Sequence, residues 1–428
     1  MKGSIKKRAE GSYSLIIDLP RERGEKRKQK WITFKGSKRE AQIKLARLIT
    51  EMDKDEYVDP SKLTVGQWIE QWLEAGAPGR KQKKVSQRTL ERYGQLLRTH
   101  VKPVLGGTSL QKLRAVAIDK LYVTMAEANL ISVRTQHHVH TVLGACLATA
   151  HRKKLIAVNP MLHVEQVPSP EAASNQEQLS APDACDPDDD DSTDDIGEGL
   201  TESELATLVA GFEQTSIYPV VVLAAASGAR RNELLALRWS DLDADKKTLR
   251  IERALEQTKK FGIRIKPPKT KRGFRTIDLD DATIAVLLKT KERHQRLQAG
   301  IPDGAEVDMS LVRLPKGALM FPAVSVSFTT PRWPRNFSRT FADKAAKLGF
   351  SRTRFHDLRG IHATALLDAG IPVHTVAQRI GDDPAVLLST YTKRKRSRQA
   401  DEKLSGTIAG LAAGFLGTSV SKSVSKSE

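Results

Sequence analysis

Ser227-Gly228-Ala229-Arg230-Arg231-Asn232-Glu233-Leu234-Leu235-Ala236-Leu237-Arg238-Trp239-Ser240-Asp241 is the stretch on which the fold turns. Ser227-Gly228 breaks an apolar helix predicted from Tyr218 to Ala226, and a second helix is predicted from Asn232 to Trp239 with Leu234, Leu235 and Leu237 inward. Downstream, in chain order, come Lys269, Lys271, His356-Asp357-Leu358-Arg359 and Tyr391. Two guanidiniums can clamp the non-bridging oxygens of a phosphodiester in fork geometry. An imidazole can move protons, and a phenol can attack phosphorus. That tool kit needs no metal ion, and it points to cleavage of a nucleic-acid strand.

The rest of the composition agrees. The chain has 428 residues, room for two or three domains, and a formal charge of +19, which favours a polyanionic partner. Cys146 and Cys185 are the two cysteines, too few and too far apart for a disulfide framework or a zinc cluster. Met1-Lys2-Gly3-Ser4-Ile5-Lys6-Lys7-Arg8 is basic without an apolar run behind it, and no apolar span reaches membrane length. A soluble cytoplasmic protein with no membrane partner is expected. His137, His138 and His140 are crowded, but no acidic or cysteine partner stands near them, so no metal and no cofactor is expected.

Outward from the quoted stretch, Thr201 and Glu204 form a capping box that opens the domain carrying the chemistry, residues 201–400. Thr248 to Glu252 and Arg275 to Leu279 read as strands flanking a basic turn region, and Phe337, Phe341, Ala345 and Leu348 as one helix face stopped by Gly349. Ahead of it, residues 166–200 are rich in Pro, Ser, Ala and Asp, and include Asp188-Asp189-Asp190-Asp191. They read as a flexible acidic linker able to compete with DNA for basic surfaces. Calcium binding is the alternative, though the regular loop spacing and its glycine are missing. Residues 61–165 read as all helical. Trp68, Ile69, Trp72 and Leu73 lie at core spacing, Ser86 leads a helix with Leu90, Tyr93, Leu96 and Leu97 inward, and helices follow over about 115–128 and 132–153. Lys81, Lys83, Lys84, Arg88, Arg92 and Arg134 are its candidate phosphate contacts, each also readable as a solvated charge. Residues 1–60 show strands at Ser12 to Leu19 and Trp31 to Phe34. A helix capped by Ser37 and Glu40 then turns Ala41, Ile43, Leu45, Ala46 and Leu48 inward. This reads as a small module carrying basic residues in its hairpin, or else as a solvated hairpin on a larger domain. Residues 401–428 form a tail.

Four of these boxes, in this order, resemble the tyrosine recombinases, and within them the phage-type integrases. The quoted stretch is similar to the first-arginine box, and Lys266-Pro267-Pro268-Lys269-Thr270-Lys271 with Arg275-Thr276-Ile277 to the hairpin carrying the catalytic lysine. His356-Asp357-Leu358-Arg359-Gly360 resembles the His-x-x-Arg box, and Thr390-Tyr391 stands at the nucleophile's place. The likeness covers about 200–398. More loosely, the helical region resembles the core-site-binding domain and the first sixty residues the arm-site-binding module.

The resemblance implies a mainly α fold with small antiparallel β-sheets: an N-terminal β-hairpin and helix module, a helical domain and an α+β catalytic domain. It also implies that Arg230 and Arg359 stabilise the phosphorane-like charge and that His356 serves as base or shuttle. Lys269, or Lys271 in its place, protonates the leaving 5′-oxygen, and Tyr391 forms a 3′-phosphotyrosyl bond that a 5′-hydroxyl later reseals. Arg231, Lys271 and Arg272 are implied DNA contacts. The implied partners are double-stranded DNA, a homotetramer on paired sites and DNA-bending accessory proteins. Lys393-Arg394-Lys395-Arg396 reads as phosphate contact beside the nucleophile, with nuclear import as the alternative. Integration or excision of a phage or mobile element is the expected activity. The alternatives are a transposase or resolvase of the same fold, a type IB topoisomerase and a non-catalytic DNA-binding regulator.

One position departs from the pattern. Nine residues ahead of Tyr391 the family usually has His or Trp after Leu-Gly, and here Ile380-Gly381 is followed by Asp382. An ionised carboxylate donates no hydrogen bond. Asp382 is therefore expected to repel the transition state, to swing outward, or to be buried and protonated so that it can donate.

Overall fold

The computed structural model describes residues 3–18, 29–53, 57–79, 83–128, 131–169, 200–268, 270–323 and 327–391, with side chains as far as Leu388. The chain divides into two compact units, Met1–Asp183 and Ala184–Glu428. Its elements are mainly helical with small antiparallel sheets.

The first unit opens with three antiparallel strands, β1 (Gly3–Ala9), β2 (Ser12–Asp18) and β3 (Gln29–Lys35), with β2 in the centre. Register pairs Ile5 with Leu15 and Leu15 with Ile32, so the two-residue period turns Ile5, Tyr13, Leu15, Ile17, Ile32 and Phe34 to one face. Helix α1 (Lys38–Asp53) covers that face through Ala41, Leu45, Leu48 and Met52. Its start is the expected reciprocal cap: the Glu40 carboxylate accepts from the Ser37 N–H at 2.8 Å and the Ser37 hydroxyl from the Glu40 N–H at 3.2 Å. Two expectations are corrected here. Strand β1 was not foreseen, because Lys6, Lys7 and Arg8 hide its alternation. Ile43 and Ala46 point to solvent, since one straight helix on a narrow sheet buries only a stripe at i, i+4 and i+7.

A separate core holds the helices that follow. Thr64 and Gln67 form a capping box for α2 (Val65–Glu74), which buries Trp68, Ile69, Trp72 and Leu73. Both indoles are satisfied: Trp68 donates to the Cys146 carbonyl at 3.1 Å and Trp72 to that of Pro78 at 3.4 Å. Ser86 caps α3 (Gln87–Leu96), which passes through a π-helical turn (Leu97–Val101) into α4 (Lys102–Leu105). Helices α5 (Ala115–Ala128) and α6 (Val133–Arg152) complete the bundle around Leu97, Val101, Ile118, Leu121, Leu143 and Leu147. Each such side chain contributes roughly 1.5–3 kcal/mol by leaving water.

The second unit begins with α7 (Glu202–Ala210), capped by Thr201 and Glu204 as expected, and α8 (Tyr218–Ser227), which ends on Gly228 at φ +61°. The predicted helix from Asn232 to Trp239 is only one turn long, α9 (Arg231–Leu234). Backbone pairing with another segment ends it: the Trp239 N–H donates to the Ala318 carbonyl, and Leu237 accepts from Met320. A sheet of β4 (Leu242–Asp243), β5 (Thr248–Ile251) and β8 (Arg275–Asp278) follows, with β5 central. The supposed turn region between β5 and β8 contains a further hairpin, β6 (Ala254–Thr258) and β7 (Gly262–Lys266), in which Glu256 pairs with Arg264 and Lys266. Helices α10 (Asp281–Ala299), α11 (Pro334–Lys347), α12 (Asp357–Asp368), α13 (Val373–Ile380) and α14 (Pro384–Tyr391) follow. Phe212, Phe337, Phe341 and Phe355 stack and cross at the centre of the main core.

Candidate active site

Three turns of backbone converge in the second unit. Gly228 ends α8 in the left-handed region, and a β-carbon there would lie 2.7 Å from His362. No other residue fits that close approach without displacement. The turn sends Arg230 out immediately before α9. Arg359 comes from the first turn of α12, where its Nη1 donates to the carbonyls of Gly228 at 2.8 Å and Ile380 at 2.6 Å. The third turn is Gly381, left-handed at φ +75°, which ends α13 and delivers Asp382.

The two arginines meet on one carboxylate. Arg230 Nη2 donates to Asp382 Oδ1 at 2.7 Å, and Arg359 Nη2 to Asp382 Oδ2 at 2.6 Å. Arg230 also donates to the Gly381 carbonyl and to Glu233 Oε1, and Glu233 Oε2 accepts from Arg275 at 2.7 Å. Burial pushes the Arg359 guanidinium down to about 10, and the neighbouring charge of Arg230 adds to this; at neutral pH it stays protonated. Burial alone would raise the Asp382 carboxyl, but the charges of Arg359, Arg230 and His356 hold it below the usual carboxylate range. Glu233 behaves likewise between Arg275 and Arg230. Asp382 is thus ionised and turned inward. The expectations of an outward swing and of a protonated donor are both corrected, because two guanidiniums outweigh the cost of burying one charge.

The other expected residues fall in several places. His356 stands directly before α12, one turn ahead of Arg359, and is half-buried. Tyr391 is the last residue of α14. Lys271 and Arg272 are exposed on a short turn before β8, with Arg272 paired to Asp383. Arg231 is a correction: it is buried and donates to the Ser338 hydroxyl at 2.6 Å, so its charge faces the protein and is out of reach of a DNA phosphate. In the first unit Lys83 and Lys84 are exposed, Arg88 and Arg92 lie half-exposed on α3, and Arg134 lies in the first turn of α6. Lys81, Lys269, Cys185, Asp188 to Asp191 and Lys393 to Arg396 lie outside the described residues. Among the described residues no group of three or more metal-ligating side chains forms, and His140 instead meets the Tyr122 hydroxyl at 3.1 Å. No helix among them is long and apolar enough to cross a membrane.

Sequence reasoning missed the supports. Glu233 and Arg275 form a fully buried pair behind Arg230. His362 links the Ala225 carbonyl at 2.9 Å to Arg379 at 3.1 Å, tying α8, α12 and α13 together. Burial drives its imidazole down to about 4, with Arg379 adding to the effect. The spacing from Arg230 to Glu233 signalled the first support. Nothing local signalled the second.

Known proteins carry the same architecture. Residues 198–398 match the model of the phage integrase family, and residues 64–125 that of the phage integrase N-terminal SAM-like domain. An integrase of Streptomyces ambofaciens is 26% identical over 410 residues, covering 91% of this chain and 94% of that one. A XerC-like tyrosine recombinase of Caldanaerobacter subterraneus subsp. tengcongensis is 25% identical over 206 residues, 46% of this chain and half of that one. Among solved structures, the Tn1549 transposon integrase with a circular intermediate DNA shares the fold at TM-score 0.58 and 16% identity, over 81% of this chain and 99% of that one. A lambda integrase tetramer bound to a Holliday junction does so at TM-score 0.50 and 16% identity, over 93% of each. With its ordered boxes, its helical fold and these likenesses taken together, the chain belongs to the phage integrase family of tyrosine recombinases, enzymes of site-specific recombination in phages and mobile elements.

Proposed function

We propose that this recombinase cuts and rejoins double-stranded DNA with Tyr391 as nucleophile and Arg230 and Arg359 as the phosphate clamp. The observation that carries the reading is the aim of the two guanidiniums: their Nη2 atoms converge on a single oxyanion, at 2.7 and 2.6 Å. A phosphate offers two non-bridging oxygens with the same fork spacing as a carboxylate, and it gains charge as the transition state forms. In the step itself the Tyr391 oxygen bonds to phosphorus while the bond from phosphorus to the 5′-oxygen breaks. The phenol proton passes to His356, and the leaving oxygen takes a proton from Lys269, with Lys271 as the alternative donor. Attack by a 5′-hydroxyl on the phosphotyrosine reverses these transfers, so no nucleotide is consumed.

In this proposal residues 61–165 grip the core site, residues 1–60 read separate arm sites, and four copies act on paired sites with the help of DNA-bending proteins. The exposed Lys83, Lys84, Lys271 and Arg272, with Arg88, Arg92 and Arg134, supply backbone contacts. A lambda integrase tetramer on a Holliday junction supports the fourfold arrangement. Integration or excision of a mobile element is the activity that fits. The test is covalent capture on a nicked suicide substrate: Tyr391→Phe should give no protein–DNA adduct while binding stays intact. An undiminished adduct would remove Tyr391 as nucleophile.

A further inference from the structure

The groups that would seize the phosphate are already occupied. Arg359 spends Nη1 on two backbone carbonyls and turns Nη2 to Asp382, and Arg230 spends Nη1 on Glu233 and the Gly381 carbonyl and turns Nη2 to the other Asp382 oxygen. A carboxylate presents two oxygens of one negative charge in the plane that a guanidinium fork recognises, as a phosphodiester does with its two non-bridging oxygens. Like charges a few ångströms apart exclude each other, the more so where burial limits screening. Arg359 is 6% exposed and Asp382 22%.

We propose that Asp382 is an internal phosphate mimic, holding the arginine clamp together in the DNA-free enzyme and giving up that position when the scissile phosphate enters. The carboxylate offsets the repulsion between two crowded guanidiniums until substrate arrives. It also makes cleavage conditional, because each turnover must first displace a charged group from the clamp. His356 and Lys269 do not serve this purpose, since neither supplies a negative charge. Glu233 cannot take over, because its second oxygen is held by Arg275 and its place is behind Arg230.

The inference rests on the proposed clamp and can be separated from it. Full-length wild type, Asp382→Asn and Asp382→His are compared in single-turnover adduct formation on suicide DNA, each with a natural phosphodiester or a neutral methylphosphonate at the scissile position. Folding is checked by urea unfolding, and the histidine variant provides a second reading if the asparagine variant folds poorly. Removing the carboxylate charge should raise the rate on the phosphodiester about tenfold or more, a barrier change of about 1.4 kcal/mol, with a much smaller gain on the methylphosphonate. Equal gains on both substrates, no gain, or a loss would each overturn the mimic, since none follows from competition between two charges. The clamp itself is judged separately: Arg230→Ala should slow adduct formation on the order of 10²–10³-fold in wild-type and Asp382→Asn backgrounds alike, and a rate left near that of the unmutated arginine would defeat the underlying reading.

Discussion

Two carboxylates in this molecule are each held by two cations, and their surroundings set them apart. Glu70, on α2 in the helical core of the first unit, takes Arg98 at 2.7 Å and Lys102 at 2.8 Å. Asp382 takes Arg230 at 2.7 Å and Arg359 at 2.6 Å. Arg98 is 54% exposed, Arg359 only 6%. Arg98 and Lys102 draw the Glu70 carboxyl down to about 2, against the smaller cost of its burial, yet both cations that hold it are about half exposed. Exposed clusters of this kind contribute about 0–1 kcal/mol. In the other cluster Arg359 is buried, and removing Asp382 would leave that guanidinium charge in the interior without its counter-ion. The lesson is that geometry alone does not rank ion pairs. Solvent access decides which cluster is decoration and which can do chemistry.

Deleting the cations has the largest expected effect. Arg230→Ala should lower the cleavage rate on the order of 10²–10³-fold, because transition-state charge loses a preorganised donor. Arg359→Ala should match it and also unfold more readily, since the Gly228 and Ile380 carbonyls lose their donor. Arg98→Ala should leave the rate unchanged. If Arg98→Ala slowed cleavage as much as Arg230→Ala, exposure would not be the deciding variable.

A smaller but still large effect is expected behind the clamp. Glu233→Ala strands Arg275, whose side chain is 4% exposed, and should cost about 3–5 kcal/mol of stability by urea unfolding. A cost under about 1 kcal/mol would place this pair with the surface clusters.

Acidity sharpens the contrast further. His362 has a folded-state value near 4 against an ordinary 6.5, so the folded protein resists its protonation and the unfolded chain does not. Its contribution is fully present above about pH 6.5 and is lost as pH falls toward 4. The urea midpoint of the second unit should fall across that window, and His362→Gln should flatten the fall. An unchanged slope would mean that another group controls it; His294, also near 4, is the first to examine.

The smallest effect belongs to Glu70. Glu70→Gln should cost under about 1 kcal/mol, and the difference should vanish in 1 M salt, where charges are screened within about 3 Å.

Much of this was legible in the chain. Short-range signals worked: the Ser37/Glu40 and Thr201/Glu204 caps, the tryptophan stripe of α2 and the break at Gly228 all depend on residues within one or two turns. Order in sequence also marked Arg230 and Arg359, which meet although 129 residues apart. What failed was settled at long range. The helix after Arg230 stops early because Ala318 and Met320 capture its backbone, and Arg231, a surface charge by its sequence context, is buried against Ser338. For Asp382, repulsion, an outward swing and a protonated donor all stood open, because its partners come from segments that no local pattern joins to it. The β6–β7 hairpin was hidden by the charges of Glu256, Arg264 and Lys266, which neutralise one another only once the strands pair.

The short loop Gly381-Asp382-Asp383 is also placed as the fulcrum of a lever. Asp382 fastens it to the arginines on one side, Asp383 fastens it to Arg272 on the other, and α14 leaves directly from it to end at Tyr391. Eight residues at 1.5 Å each make an arm of about 12 Å, so a 10° swing at the loop moves the far end by about 2 Å. Reacting atoms must come within about 3–3.5 Å, and a misplacement of 1 Å is enough to cost about a hundredfold in rate. Under the proposed mechanism, a small adjustment where the carboxylate releases two guanidiniums would be amplified at the end of the arm to the distance scale on which attack by Tyr391 depends.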